Sequence, residues 1–173
     1  TDSIGGRIDL AYDILNRVVR ETTAQGTLAY TYDILGRRTS MSVGGQQPVT
    51  YTYDATSRLT QVAQGSLTVA MAYDAAGRRT ALTYSNGTTA TSSYDSASRL
   101  TGITHAKGAN ILESVSYTYD AEGNRVTATR GSGSPTSLPT TLQATYDAAN
   151  EQLSINSPTP TMTYDANGNL MSR

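Results

Sequence analysis

Residues 30–38 read YTYDILGRR, and residues 51–59 repeat the pattern as YTYDATSRL. The Tyr-Asp dipeptide occurs eight times in the 173-residue chain, and eight of the ten aspartates belong to it. Self-similarity at a period of 20–21 residues over the first five copies indicates a tandem-repeat architecture. The eight copies are Tyr12-Asp13, Tyr32-Asp33, Tyr53-Asp54, Tyr73-Asp74, Tyr94-Asp95, Tyr119-Asp120, Tyr146-Asp147 and Tyr164-Asp165.

Each repeat predicts a tight turn immediately after its tyrosine. An aspartate that opens a turn accepts hydrogen bonds from backbone N–H groups two residues further on, which favours a type I turn. Gly36 and Gly77 stand three residues after Asp, where such a turn commonly passes into a left-handed residue and a bulge. Asn16 tolerates the same backbone conformation. Ser57 and Ser98 lack the freedom of glycine, so we expect those two turns to be strained or different.

Strands are predicted on both sides of each turn. Tyr30 and Tyr32 alternate with small residues, which places large side chains on one face of a strand. After the turn, Leu59 and Val62 are three residues apart, so we expect either a bulge or a second partly buried face. Short return turns are predicted midway between the Tyr-Asp copies, at Ala24-Gln25-Gly26, Gly44-Gly45, Gln64-Gly65 and Ser85-Asn86-Gly87.

These features predict an all-β chain of tandem antiparallel β-hairpins that form a continuous, curved, solenoid-like meander. Each period would hold two strands of about seven residues and two tight turns. One such unit cannot bury its own apolar face, so neighbouring units must cover it. We expect residues 1–173 to form a single array, regular over about 1–104 and irregular over about 105–173.

The irregular part has three features. YDAEGNRV at 119–126 suggests one extra residue in its turn. RGSGSPTSLPTTL at 130–142 predicts a protruding loop or hairpin tip. Pro158 and Pro160 crowd the last return turn.

The composition excludes several classes of function. The net charge is −1, so no global field draws the chain to nucleic acid or to an anionic membrane. Cysteine is absent, which removes disulfides and thiolate chemistry. No apolar run approaches the length of a transmembrane helix. Leu, Ile and Val total only 28 and Phe is absent, which predicts a thin structure with little three-dimensional core.

The run of YDILGRR and YDAAGRR units resembles the YD/RHS-repeat family, which includes bacterial Rhs and Tc toxin shell proteins, wall-associated proteins and teneurins. The resemblance covers essentially the whole chain. It implies β-hairpins that spiral into a hollow shell, which encloses a toxic domain in the toxin members and forms an adhesion scaffold in the teneurins. Closed shells of the family use many more repeats than eight, so this chain would be one part of such a wall.

The repeated side chains allow both structural and chemical interpretations. The aspartates could act as acids, bases or metal ligands, but eight near-identical sites do not separate two pKa values as acid–base catalysis requires. The arginines four residues after Asp could bind an anionic ligand, or they could pair with their own Asp or with neighbouring units. The tyrosines could stack between strands or offer a platform for sugars or a peptide.

Isolated candidates for chemistry are weak. His105 is the only histidine, and its surroundings predict a loop, so we expect neither a catalytic triad nor a histidine metal cluster. The segment beginning at Asp165 departs from the calcium-loop pattern in its glycine position. Asn86-Gly87-Thr88 matches the glycosylation pattern, although Asn-Gly is also the expected hairpin turn. No catalytic residue, cofactor or metal is therefore predicted.

The leading hypothesis is a non-catalytic structural segment of a secreted or cell-surface shell, more in keeping with a bacterial than a eukaryotic source. Its expected partners are further YD repeats of the same or a neighbouring chain and an enclosed toxin domain, with neither nucleic acid nor membrane insertion. Alternatives are an adhesion module that binds a glycan or protein, and a module that self-assembles through open sheet edges. Besides the eight Tyr-Asp pairs, the residues expected to carry the repeat structure are Gly36, Arg37, Arg58, Gly77, Arg78 and Arg99.

Overall fold

The computed structural model describes residues 7–131, 141–156 and 161–172, and within them the regular structure consists of sixteen β-strands. The predicted all-β class is therefore confirmed. The strands are β1 Asp9–Tyr12, β2 Val18–Thr23, β3 Gly26–Tyr32, β4 Arg38–Val43, β5 Val49–Tyr53, β6 Leu59–Gln64, β7 Leu67–Tyr73, β8 Arg79–Tyr84, β9 Thr88–Tyr94, β10 Leu100–Lys107, β11 Asn110–Tyr119, β12 Arg125–Arg130, β13 Thr141–Tyr146, β14 Gln152–Ile155, β15 Thr163–Tyr164 and β16 Leu170–Ser172.

The strands follow one another in space in the order of the sequence. Strands β1 to β14 form one sheet in chain order, and β15 and β16 form a separate two-stranded sheet. The antiparallel meander predicted from the repeats is thereby confirmed. Most of the predicted insertion at 130–142, together with Pro158 and Pro160, lies outside the described residues.

The fold divides into two compact units, the first being Thr1–Ala72 with Leu82–Asn86. Its hairpins show whether the residues after each turn form a bulge or a second partly buried face. Tyr51 faces Val62 and Tyr53 faces Leu59, so Thr60 is the extra residue of a β-bulge. Because the bulge shifts the register by one residue, Leu59 and Val62 lie on the same face as the two tyrosines.

The second unit comprises Tyr73–Ala81 with Gly87–Arg173. In its turn at residues 119–126, the Gly123 N–H donates to the Asp120 carbonyl at 3.3 Å, and the Asp120 N–H donates to the Asn124 carbonyl at 3.0 Å. This is the spacing of every other Tyr-Asp turn, so the expectation of an extra residue was wrong. Asn124 takes the place of the arginine, and Arg125 is the first residue of the following strand.

The return turns lie where they were predicted. Thr23 pairs with Gly26, and Gln64 pairs with Leu67, so each of these hairpins closes with two residues. Gly65 and Gly87 have φ of 57° and 82°, a left-handed conformation that glycine adopts without the steric cost of a Cβ atom. The position of glycine in the sequence therefore identifies the hairpin ends correctly.

The described residues form little buried core, as the scarcity of aliphatic residues predicts. Among the described residues only Ala128, Met162 and Ser154 are buried. Cross-strand contacts on half-exposed faces must therefore supply most of the stabilisation.

In the part of the chain that the structure describes, no helix has the length and apolar character needed to cross a membrane.

Candidate functional site, an inter-repeat contact

The turn of each repeat is built around its aspartate. The Gly36 N–H donates to the Asp33 carbonyl at 3.1 Å, while the Leu35 and Arg37 N–H groups both donate to Asp33 Oδ1 at 2.9 Å. The predicted hydrogen bond from two residues further on is thus confirmed. The residue three after Asp has positive φ in all eight repeats, from 59° to 96°: Asn16, Gly36, Ser57, Gly77, Ser98, Gly123, Asn150 and Gly168.

The two serines at the left-handed position adopt the same turn as the glycines. Ser57 and Ser98 have φ of 65° and 64°, so these turns carry backbone strain but do not differ in type. Their side chains also receive hydrogen bonds from the preceding repeat, because Arg37 Nη1 lies 3.1 Å from Ser57 Oγ and Arg78 Nη1 lies 3.2 Å from Ser98 Oγ. Serine therefore adds a contact that glycine cannot make.

The arginine four residues after Asp forms an ion pair with that same aspartate. Arg37 Nε donates to Asp33 Oδ2 at 2.6 Å, and both side chains are about three-quarters buried. The predicted pairing across the turn is confirmed at five repeats. The pairs are Arg17–Asp13, Arg37–Asp33, Arg58–Asp54, Arg78–Asp74 and Arg99–Asp95.

The same arginine also reaches the next repeat, as the second reading of the sequence expected. Arg37 Nη1 donates to the Asp54 carbonyl at 3.3 Å, and its guanidinium carbon lies 4.7 Å from the centre of the Tyr53 ring. The Tyr53 hydroxyl in turn donates to the Arg38 carbonyl at 2.9 Å. We call this set of contacts, made by an arginine and the following tyrosine, the inter-repeat clamp.

The clamp recurs with nearly constant geometry in both units. Arg17 lies 4.7 Å from the Tyr32 ring in the first unit, and Arg78 and Arg99 lie 4.8 Å from the rings that follow them in the second. Hydroxyl-to-carbonyl hydrogen bonds accompany them, from Tyr32 to Val18, Tyr94 to Arg79 and Tyr119 to Leu100. A guanidinium over an aromatic ring is attracted by the negative face of the ring.

The last three repeats replace the arginine of the clamp. Asn124 donates to Asp120 Oδ2 at 3.0 Å and to Asn150 Oδ1 at 2.8 Å, which preserves a short link to the next repeat. Glu151 and Asn169 occupy the corresponding places in the two repeats that follow. The tyrosine half of the clamp persists, since hydroxyl groups donate from Tyr146 to Arg125 and from Tyr164 to Gln152.

These contacts lower the pKa of the turn aspartates. At Asp13 the backbone N–H of Arg17 is the largest cause, and the Arg17 side chain adds to it. At Asp33 partial desolvation would raise the pKa, but hydrogen bonds from the Arg37 side chain and backbone outweigh it. The pKa is also lowered at Asp54, Asp74, Asp95, Asp120 and Asp165. Each of these carboxylates is therefore suited to remain charged within its turn.

One set of contacts was not anticipated from the sequence. The guanidinium carbon of Arg38 lies 5.5 Å from the Tyr30 ring and 5.3 Å from the Tyr51 ring. Arg125 lies 5.1 Å from the ring of Tyr117. For Arg38 the signal was the second arginine of the GRR triplet, which directly follows the clamp arginine, and Arg125 stands at the same place after Asn124. Stacking of tyrosine on tyrosine stays a prediction.

The other candidates for chemistry are placed as follows. His105 lies within β10, opposite Ala90 and Glu113, so the loop predicted around it was wrong. The strand continues to Lys107 because the turn begins only at Gly108, whose φ is 59°. Asn86-Gly87 does form the turn between β8 and β9. Across the described ranges, no three acidic, histidine or cysteine side chains are grouped so that they could hold a metal ion.

This geometry defines a tandem β-hairpin repeat protein in which one contact between neighbouring repeats recurs. The Teneurin YD-shell family profile matches residues 7–127, which is more than half of the sequence. The chain belongs to the Teneurin YD-shell family.

Solved structures show the same fold. TcdB2–TccC3 without its hypervariable C-terminal region is 18% identical with a TM-score of 0.77, and the match covers 96% of this chain and 11% of that one. The Photorhabdus luminescens Tc holotoxin pore is 20% identical with a TM-score of 0.57, and the match covers 94% of this chain and 8% of that one. The chain thus spans about a tenth of the length of these structures. Comparison with curated proteins found no match.

Proposed function

We propose that the chain is a non-catalytic structural segment of a secreted or cell-surface YD/RHS shell, which encloses or scaffolds a toxin or adhesive domain. The observation that carries this proposal is the inter-repeat clamp. Its charged and aromatic side chains hold one repeat to the next, and Arg37, Tyr53 and Asp54 are the clearest example. These contacts support a structural role for the repeated charged and aromatic residues.

The comparisons support the shell function. The family is named for a YD shell, and the similar solved structures are Tc toxin assemblies that contain TccC3. One of them is described by the absence of its hypervariable C-terminal region. By analogy, residues 1–173 would form a single array within a wall around a variable domain, with further YD repeats and that domain as partners.

A chimera tests the enclosing role directly. Residues 7–131 would replace the structurally matching repeats of the TcdB2–TccC3 shell, and protease digestion of the C-terminal region would be followed. We expect an assembled chimera to protect that region as the parent shell does. A matched chimera carrying Arg37→Ala and Tyr53→Ala should protect it less. An assembled chimera whose C-terminal region is cut at the rate of the free domain would refute the proposal.

The self-assembly alternative rests on strand β1, whose outer edge has no partner among the described residues. Unpaired strand edges favour pairing with another chain. Light scattering of the purified chain, with electron microscopy of the same sample, separates the two readings. Rings, tubes or filaments would identify an assembly module, whereas a monomer would agree with a segment of a larger shell.

The adhesion alternative finds support in one feature of the turns. Ile14 and Ile34, at the tips of the first two turns, are 101% and 98% exposed, and Leu15 and Leu35 are exposed beside them. Large apolar side chains at such exposure are suited to a protein contact. A glycan platform would need clustered exposed tyrosines, but ten of the twelve are at least partly buried. Binding to a cell surface that survives Ile14→Ser with Ile34→Ser would exclude these tips as the contact.

A further inference from the structure

Glu151 is a carboxylate at the position where five earlier repeats have the arginine of the clamp. Its backbone fits the repeat, since the Glu151 N–H donates to Asp147 Oδ1 at 2.9 Å and its carbonyl accepts from the Asp147 N–H at 3.0 Å. The turn is therefore formed normally. Only the charge of the side chain is reversed.

The Glu151 side chain faces carboxylates from two turns. Asp147 opens the turn to which Glu151 belongs and Asp165 opens the next turn, and both charges act on the Glu151 carboxyl. Glu151 Oε1 extends towards that next turn, where it lies 3.1 Å from the place a Cβ atom on Gly168 would occupy. In earlier repeats the arginine at this position attracts the next repeat, whereas here the negative charges of Glu151 and Asp165 repel each other.

The last described hairpin, β15–β16, is attached to strand β14 by backbone and side-chain hydrogen bonds. The N–H groups of Thr161 and Met162 donate to the Leu153 carbonyl at 2.9 and 3.0 Å. The Tyr164 hydroxyl, the titratable group that strand β15 itself presents, donates to the Gln152 carbonyl at 2.8 Å. Gln152 and Leu153 directly follow Glu151 in the chain, so a change in charge at Glu151 occurs beside these bonds.

We propose that Glu151 makes the attachment of hairpin β15–β16 dependent on pH, so that the hairpin is held in acid and loosened towards neutral pH. When protonated, Glu151 can donate a hydrogen bond to Asp147 and no longer repels Asp165. When ionised, it repels Asp165 of the next turn, whereas its repulsion of Asp147 lies within one turn and does not depend on the attachment of the hairpin. The arginine of a normal clamp has no such dependence, because it stays charged over the whole range.

Desolvation raises the pKa of the Glu151 carboxyl, the charge of Asp147 raises it further whether or not the hairpin is attached, and the charge of Asp165 raises it only when hairpin β15–β16 is in place. A group whose pKa is higher in the docked state stabilises that state at low pH, and this contribution disappears as the pH rises through the raised pKa. Asp165 has the opposite shift, caused first by the hydrogen bond from the Asn169 side chain. Its contribution is lost only at a pH below its ordinary pKa, so the two effects fall in separate pH ranges.

Amide hydrogen exchange of the full chain tests the proposal at Thr161 and Met162. Between about pH 4 and pH 7, we expect their protection factors, corrected for intrinsic exchange, to fall about two- to fivefold, the size typical of an exposed charge interaction. Glu151→Gln should keep the acid value throughout. The matched control is Glu122→Gln, in the exposed part of another turn, which should follow the wild type.

A second variant shows whether a result for Glu151→Gln comes from the change in charge or from a loss of structure. Glu151→Arg restores the residue of a normal clamp, so the protection at Thr161 and Met162 should be independent of pH and at least equal to that of the wild type in acid. The proposal is overturned by wild-type protection that does not change with pH, by Glu151→Gln with the wild-type profile, or by weaker protection in Glu151→Arg.

Discussion

The inter-repeat clamp can be dissected at Tyr53, because its ring and its hydroxyl make separate contacts. Tyr53→Phe removes only the hydroxyl that donates to the Arg38 carbonyl at 2.9 Å. We expect the free energy of unfolding to fall by about 0.5–1.5 kcal/mol, the net contribution of a neutral hydrogen bond. Tyr53→Leu also removes the ring beneath the guanidinium of Arg37, and we expect it to cost about 0.5–1 kcal/mol more.

A double-mutant cycle isolates the contact between the guanidinium and the ring. Arg37→Gln and Tyr53→Leu are each measured alone and then together, so that effects involving only one of the two side chains cancel. The distance of 4.7 Å from the guanidinium carbon to the ring centre lies within the range of an effective cation–π contact. We expect a coupling free energy of about 0.5–1 kcal/mol.

Urea unfolding followed by circular dichroism supplies these free energies, and hydrogen exchange of the Arg38 and Thr39 region localises them. Tyr84→Phe is the control, since Tyr84 is 37% exposed and the described residues show no hydrogen bond from its hydroxyl. It should change stability by less than about 0.5 kcal/mol. A coupling free energy indistinguishable from zero, or an effect of Tyr84→Phe as large as that of Tyr53→Phe, would refute the clamp.

Three further predictions concern the turns. Gly36→Ala should lower the free energy of unfolding in urea by about 1–2 kcal/mol, because φ is 80° and only the backbone conformation opposes a Cβ there. Gly44→Ala is the control and should be almost neutral, since the atom nearest to its added Cβ lies 3.9 Å away. Asn124→Arg should raise the free energy of unfolding by about 0.5–1 kcal/mol by placing a guanidinium over Tyr146, and an unchanged urea midpoint would contradict this. Hydrogen bonds from the Arg58 backbone and side chain lower the pKa of Asp54 in the fold. The contribution of Asp54 to the free energy of unfolding should therefore be complete above the ordinary pKa of 3.8 and be lost as the pH falls through the lowered pKa. Acid titration of Asp54→Asn against the wild type would detect this loss.

The local structure of the repeat was predictable because it depends on short-range chemistry. Asp33 and Gly36 encode the turn through one carboxylate and one left-handed residue, and these requirements are visible within five residues of sequence. The bulge that brings Leu59 and Val62 to one face was left open, because it depends on the register with the partner strand. The strand around His105 was missed for a related reason: its extent is set by pairing with β11.

The side-chain contacts between repeats were only half predictable. Pairing of Arg37 with Asp33 follows from a separation of four residues across a known turn. Its contact with Tyr53 joins residues sixteen apart, and only the strand register brings them together. The role of Ser57 was misjudged because the sequence shows its backbone cost but not the hydrogen bond that it accepts from Arg37.

The clamp also gives the array a direction. Arg17, Arg37, Arg78 and Arg99 reach forward to the next repeat, and the tyrosine of that repeat donates back to the one before. The strength of such a junction is therefore set by the residue four after Asp in the earlier repeat. Within the second unit that residue changes from Arg99 to Asn124 and then to Glu151, that is, from a cation over a ring to an amide and then to a carboxylate facing carboxylates. In a quasi-one-dimensional protein each repeat contacts only its neighbours, so the weakest junction opens independently of the others. Opening of this unit should therefore begin at hairpin β15–β16, and Glu151 sets the pH at which it does.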